Sequence, residues 1–275
     1  MVDTTRSEGL LHAAALTISE NGSFSARDGV FLGVDLGTAS VVLIALDSQK
    51  NPIACEIEYS GVVRDGLVVD YMGAVNIVKR LKAKLETRLG ARLSRAAIAV
   101  PPGTNPKDAG THRHVVEASN TEVTTIVDEP TAANEVLGIR DGVVVDIGGG
   151  TTGLTVFKDG RPVLTADEPT GGYHISLVLM GGRKISFEEA EELKRDPSKA
   201  GEVLVEVKPV IQKMAGIVTR YIKGHNADNI WLVGGTCCLP GVEKIFQQET
   251  GLPSFKPVHP HLVTPLGIAM SCKQL

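Results

Sequence analysis

Apolar and polar positions along the chain follow two periods, and from Phe31 onward segments of each kind alternate. Val41 to Leu46 and Val143 to Asp146 are runs rich in β-branched and other apolar residues, the pattern of buried strands. From Met72 to Leu89, Val75, Val78, Leu81, Leu85 and Leu89 recur at intervals of three and four, with lysines and arginines on the other face. That spacing predicts a helix. Ala96 to Val100 reads as another strand, stopped by Pro101-Pro102; Thr131 to Leu137 and Pro209 to Ile222 read as helices, and Ile230 to Val233 as a late strand. Interspersed strands and helices indicate an α/β protein. Residues 1–29 break the pattern: they are polar, end in Asn21-Gly22-Ser23 and Asp28-Gly29, and hold one weakly amphipathic piece with Leu10, Leu11, Ala14 and Ile18. They read as a flexible N-terminal extension.

Charge and composition exclude several classes. A formal charge of −4 over 275 residues lacks the clustered basic excess of a nucleic-acid surface. No apolar run approaches the ~18 residues of a membrane-spanning helix, and the polar, acidic start is not that of a secretory signal. The four cysteines include no C-x-x-C pair, as expected of a protein in a reducing cytoplasm. Thirty glycines without a collagen period or low-complexity run belong in turns and loops.

The informative feature occurs twice. Asp35-Leu36-Gly37-Thr38 precedes the apolar run Val41 to Leu46, then Asp47-Ser48-Gln49-Lys50-Asn51-Pro52; Asp146-Ile147-Gly148-Gly149-Gly150-Thr151 precedes Leu154 to Phe157, then Lys158-Asp159-Gly160. Each copy runs strand, aspartate, glycine turn, threonine, strand, hairpin, strand. One copy alone is an ordinary tight turn. Two copies in the same order predict two similar lobes facing each other across a cleft. Glycines bring backbone N–H groups close to a phosphate, and an aspartate at a strand end offers an oxygen ligand to Mg²⁺. Gly148, Gly150 and Gly153 also fit G-x-G-x-x-G, but a hairpin rather than a helix follows, which disfavours a dinucleotide site. The Gly-Lys-Ser/Thr ending of a nucleoside-triphosphate P-loop is absent.

These residues resemble the superfamily of actin, DnaK-type chaperones, MreB and FtsA. Asp35 to Thr38 and Asp146 to Thr151 look like its two phosphate motifs. Asp128-Glu129-Pro130-Thr131-Ala132-Ala133 is similar to its N-E-P-T-A-A connecting motif, Ala190-Glu191-Glu192-Leu193-Lys194 to its A-E-x-x-K helix, and Leu232-Val233-Gly234-Gly235 to its adenosine loop. Four further segments resemble the EutJ proteins of bacterial ethanolamine utilisation: residues 61–66, 100–104, 166–172 and 264–266. That resemblance runs from about Phe31 to the C-terminus.

The resemblance implies an actin-like ATPase fold, ribonuclease H-like, with a first lobe over 30–138, a second over 139–258, and a C-terminal helix in 259–275 returning to the first. It implies ATP or ADP with Mg²⁺ held through water by Asp35 and Asp146. Gly37, Thr38 and Gly148, Gly149, Gly150 and Thr151 would take the phosphates, with Thr151 also in the catalytic set and Gly172 a further phosphate candidate. Glu129 would orient the attacking water, although Asp128-Glu129-Pro130 is equally a good helix start. Glu191 and Lys194 would contact ribose and adenine, against the plainer reading of an acidic solvated helix face. Gly234 and Gly235 would pass under the base. His112 with His114 and His259 with His261 lack the further ligands of a metal site and read as surface residues; Cys237 and Cys238 read as small buried ones. No residue matches the chaperones' phosphate-directed lysine, and no peptide-binding domain is expected after Met270. The implied role is a slow ATPase or nucleotide-gated chaperone assisting ethanolamine ammonia-lyase or its microcompartment in the cytoplasm. The alternatives are a polymerising MreB- or FtsA-like module and a scaffold that does not hydrolyse nucleotide.

Overall fold

The computed structural model describes residues 4–19 and 29–273. They form two units, one made of the described residues up to Gly138 together with those from Leu262 onward, the other of Ile139–His261. Unit 1 begins with α1 (Thr5–Ser19), β1 (Phe31–Leu36), β2 (Ser40–Leu46) and β3 (Pro52–Tyr59). The small hairpin β4 (Val63–Arg64) and β5 (Leu67–Val68) follows, then α2 (Tyr71–Leu89), β6 (Arg95–Val100), α3 (Pro106–Glu117), β7 (Glu122–Asp128) and α4 (Glu129–Leu137). Unit 2 holds β8 (Gly142–Ile147), β9 (Thr152–Lys158), β10 (Arg161–Glu168), α5 (Gly172–Arg183), α6 (Phe187–Arg195), α7 (Ala200–Ile222), β11 (Ile230–Val233), α8 (Val242–Thr250) and β12 (Ser254–Phe255). A last helix, α9 (Val263–Ser271), belongs to unit 1.

The two sheets share one topology. Unit 1 has the order β3-β2-β1-β6-β7 and unit 2 the order β10-β9-β8-β11-β12. In each, three strands form an antiparallel meander whose first member pairs in parallel with a later strand, and that strand pairs in parallel with the next. The register repeats too: Asp35 lies opposite Val42, and Asp146 opposite Gly153, seven residues further along in both copies.

Alternation along β1 sends Leu32, Val34 and Leu36 into a core shared with Val75, Val78, Leu81 and Leu85 of α2. Full burial of one such leucine contributes about 1.5–3 kcal/mol. The opposite face is closed by α9, and there Gly33 is required, because a Cβ on it would lie 2.5 Å from the Ala269 nitrogen. In unit 2, Val143, Val145 and Ile147 take the equivalent phase and pack with Val207, Ile211 and Met214 of α7.

Three expectations are corrected. Residues 5–19 form a helix rather than a flexible extension; Leu11 and Ala14 are fully buried, and the Arg88 guanidinium donates to the Thr17 carbonyl at 2.7 Å. The turn residues 21–23 and Asp28 lie outside the described residues. Second, α7 starts at Ala200 and runs through Pro209. The exposed proline removes one helical hydrogen bond where water can replace it. Third, unit 2 extends to His261 rather than 258, since the Gly234 N–H donates to the Pro260 carbonyl at 3.0 Å and ties that segment to β11.

Candidate functional site

In each unit the aspartate ends the first strand and the glycine turn follows at once. The turns close by the same bond: Gly37 N–H donates to the Ser40 carbonyl at 3.0 Å, and Gly148 N–H to the Thr151 carbonyl at 3.1 Å. Gly37 is needed sterically, since a Cβ there would lie 2.9 Å from that Ser40 oxygen. Both turns sit at the carboxyl ends of parallel strands, where α/β sheets bind ligands. Glu129 lies at the same edge of the unit 1 sheet, at the start of α4, which follows β7 directly. Asp128 caps that helix, its carboxylate accepting from Thr131 N–H at 3.0 Å, and Pro130 occupies the first turn.

In unit 2 the turn is held by more contacts. The Gly148 carbonyl accepts from two elements at once, Gly172 N–H at 2.9 Å and the Thr236 hydroxyl at 2.8 Å. The neighbouring Gly149 carbonyl accepts from Tyr173 N–H at 2.7 Å. The first N–H groups of α5 therefore hold the glycine turn in place. Gly172, expected as a further phosphate candidate, turns its N–H to the Gly148 carbonyl and so positions the turn. A Cβ on Gly171 would lie 2.7 Å from the Gly149 oxygen, so this approach needs glycine there as well.

Asp146 is buried and packs against Gly234, whose φ of +92° only glycine adopts easily. A Cβ on Gly234 would stand 2.3 Å from Asp146 Oδ1 and 2.5 Å from the Ile147 carbonyl oxygen. Gly235 opens to solvent with nothing within 4 Å of a Cβ.

Glu191 and Lys194, one helical turn apart on α6, converge on this site. Lys194 Nζ donates to the Gly172 carbonyl at 3.0 Å, the Ser176 hydroxyl at 2.8 Å and Glu191 Oε1 at 2.6 Å, using all three ammonium protons. The Ser176 hydroxyl also donates to Glu191. Desolvation holds the Lys194 pKa below its ordinary value, and the Glu191 carboxylate opposes that shift. The solvated acidic face is real for Glu188, Glu189 and Glu192, which are exposed, while Glu191 turns inward. The triad clamps α6 to α5 beneath the glycine turn.

Thr236 and Ser176 were not legible as site residues. A hydroxyl in a loop or on a helix carries no pattern of its own, although Thr236 directly follows the Gly234-Gly235 pair. His112 also departs from expectation. It is buried, with Nε2 3.0 Å from the Gly66 carbonyl oxygen, and desolvation lowers its pKa. Cys237 is buried as expected, but Cys238 is exposed. No cluster of three or more histidine, cysteine or acidic side chains is placed to hold a metal ion among the described residues.

Known proteins resemble the whole chain. The ethanolamine utilization protein EutJ of Salmonella typhimurium is 46% identical over 88% of this chain and 85% of its own length. The Escherichia coli protein of the same name is 43% identical over 94% of this chain and 92% of its own. The chain belongs to the EutJ family. The crystal structure of the EutJ protein from Carboxydothermus hydrogenoformans superimposes with a TM-score of 0.92 at 47% identity, covering 98% of this chain and 99% of that one.

More distant matches agree on the fold. The Hsp70 family model matches residues 48–175 and the cell division protein FtsA model residues 143–267. MreB5 of Spiroplasma citri bound to AMPPNP superimposes with a TM-score of 0.71 at 17% identity, over 88% of this chain and 95% of that one. The chain thus has the actin-like ATPase fold, with its two glycine turns at corresponding strand ends of the two units. No helix among the described residues is long and apolar enough to cross a membrane.

Proposed function

We propose that this EutJ-family chain binds MgATP and MgADP and works as a nucleotide-switched chaperone in ethanolamine utilisation, acting in the cytoplasm on ethanolamine ammonia-lyase or on microcompartment proteins. The observation carrying the nucleotide half is the repeated turn: the same aspartate phase, register and closing hydrogen bond in both units. ATP with Mg²⁺ fits the residues each unit supplies, because glycine backbones leave room for phosphate oxygens and a strand-end carboxylate suits a hydrated divalent cation.

The closing bonds commit the N–H groups of Gly37 and Gly148 within their own turns. In this reading the phosphates fall instead to the N–H groups of Thr38, Gly149, Gly150 and Thr151, with the Thr38 and Thr151 hydroxyls beside them. Asp35 and Asp146 would hold hydrated Mg²⁺, which would supply positive charge beside the phosphoryl oxygens. Glu129 accepts a hydrogen bond from the water that attacks the terminal phosphate. Glu191 and Lys194 shape the wall against ribose and adenine, and Gly235 leaves space for the base. Nucleotide exchange then changes the surface offered to a client.

Calorimetric titration of MgATP and MgADP into the wild type, Asp35→Asn and Asp146→Asn tests the binding, with phosphate release followed in parallel. Binding by the wild type, weakened at least about tenfold in both folded variants, is the expected result. Wild-type protein that binds neither nucleotide refutes the proposal. The chaperone half is tested by the recovery of active ethanolamine ammonia-lyase after heat stress, with and without nucleotide. Recovery indifferent to both protein and nucleotide removes it.

A further inference from the structure

Of the four cysteines, Cys238 alone is exposed; Cys55, Cys237 and Cys272 are buried. It ends the 3-10 turn Gly235–Cys238, directly after the Gly234-Gly235 loop. Its Sγ lies 3.4 Å from Nδ1 of His261, which arrives on the separate turn Pro260–Leu262. The two turns are fastened together by the bond from Gly234 N–H to the Pro260 carbonyl. Lys256 completes the surroundings: its ammonium donates to the carbonyls on either side of the cysteine, Cys237 at 3.1 Å and Leu239 at 3.3 Å. The same ammonium pairs with the Glu243 carboxylate at 3.4 Å, so what meets at this exposed point is a thiol and an imidazole able to take its proton, with a lysine beside them. The adjacent Cys237 cannot serve as its partner in a disulfide, since its Sγ points inward to the Val233 carbonyl at 3.0 Å.

We propose that Cys238, with His261 as base and Lys256 beside it, is a thiol-exchange site at which a small-molecule disulfide modifies the loop after β11. Desolvation raises the Cys238 pKa, while a backbone hydrogen bond from His261 and the Lys256 charge pull it back, so the resting thiol keeps its proton, with the His261 Nδ1 3.4 Å from Sγ. In the reaction that proton passes to His261 as the sulfur attacks one sulfur of the disulfide. A protein–S–S–R bond forms, the R–S–S–R bond breaks, and the released thiolate takes the proton back from the imidazole. The protein thiol is oxidised and one half of the small disulfide is reduced. The remaining cysteines are buried, so the adduct persists until an external thiol removes it. Its consequence rests on the nucleotide reading above: a group attached there crowds the space beside Gly235 and excludes the adenosine end of the nucleotide.

The test incubates the full chain with oxidised glutathione and follows intact mass and the modified peptide. The wild type, Cys238→Ser and His261→Gln are compared after their folding is checked by circular dichroism. One glutathione on Cys238, none in Cys238→Ser, and formation at least about tenfold slower in His261→Gln is the expected result. No adduct on Cys238, or a rate indifferent to His261, overturns the site. Protection of Cys238 by MgATP supports the link to nucleotide, and equal nucleotide affinity of the modified and free protein overturns that link while the binding proposal stands. Failure of the unmodified protein to bind nucleotide is a different outcome: it removes the binding proposal, and the mass spectrum still decides the site.

Discussion

Replacing Lys194 by methionine keeps the length of the side chain and removes its charge, so it isolates the clamp between α5 and α6. Both partners are mostly buried, with 18% of the Lys194 side chain and 20% of the Glu191 side chain exposed. Removing one member of a fully buried pair costs about 3–5 kcal/mol. The residual exposure and the Ser176 hydroxyl that Glu191 keeps reduce this to about 2–4 kcal/mol. Glu191→Gln alone leaves the ammonium without its counter-charge and costs about 2 kcal/mol. Together the two changes leave neutral groups, so the double variant recovers, with a coupling of at least about 1.5 kcal/mol. Trp231 is the single tryptophan and lies in β11 of unit 2, so its fluorescence in a urea titration reports the unit that holds the clamp. A Lys194→Met midpoint within about 0.5 kcal/mol of the wild type, or strict additivity in the cycle, refutes the clamp.

Three further outcomes follow from particular contacts. Leu11→Ala should lower stability by about 2–5 kcal/mol in calorimetric melting, because that side chain is fully buried; a change near zero restores the free tail. Gly234→Ala should cost at least about 2 kcal/mol by Trp231 fluorescence, whereas Gly235→Ala, which meets open space, should stay within about 0.5 kcal/mol; equal effects contradict the contact with Asp146. His112 has a folded pKa below its unfolded value of about 6.5, so the unfolded chain takes the proton first. Its contribution is fully present above that value and is lost as pH falls below it, by at most about 1.4 kcal/mol per unit. Urea titrations at pH 7 and pH 5 should therefore show a larger loss for the wild type than for His112→Gln, and parallel losses remove the effect.

The glycine turns were legible because the chain states them twice with the same order of strand, turn and hairpin, which a lone turn cannot do. The helical face of α2 was legible from five apolar residues at regular spacing. α1 was not, because its buried stripe includes Ser7 and Thr17, whose hydroxyls bond to carbonyls of their own turn and pass for solvated residues. The start of α7 was hidden by Pro209, which reads as a helix start and here sits in mid-helix. The site divides in the same way. Aspartates and glycines are fixed by backbone geometry and show in the sequence, whereas the three-way contact of Ser176, Glu191 and Lys194 depends on packing between α5 and α6.

The return of α9 to unit 1 has a bearing on synthesis. Unit 2 is a continuous stretch of chain and can fold as soon as it has emerged from the ribosome. Unit 1 emerges first and is completed last, because Ile268 and Cys272 cover Ala97, Ala99 and Ala132 only after every residue of unit 2 has been made. Until then the face of its sheet bearing Gly33 is uncovered, a sticky intermediate in a growing chain. Slowing or truncating translation before residue 263 should therefore aggregate the nascent protein through unit 1, and a separately supplied α9 peptide is the natural agent to prevent it.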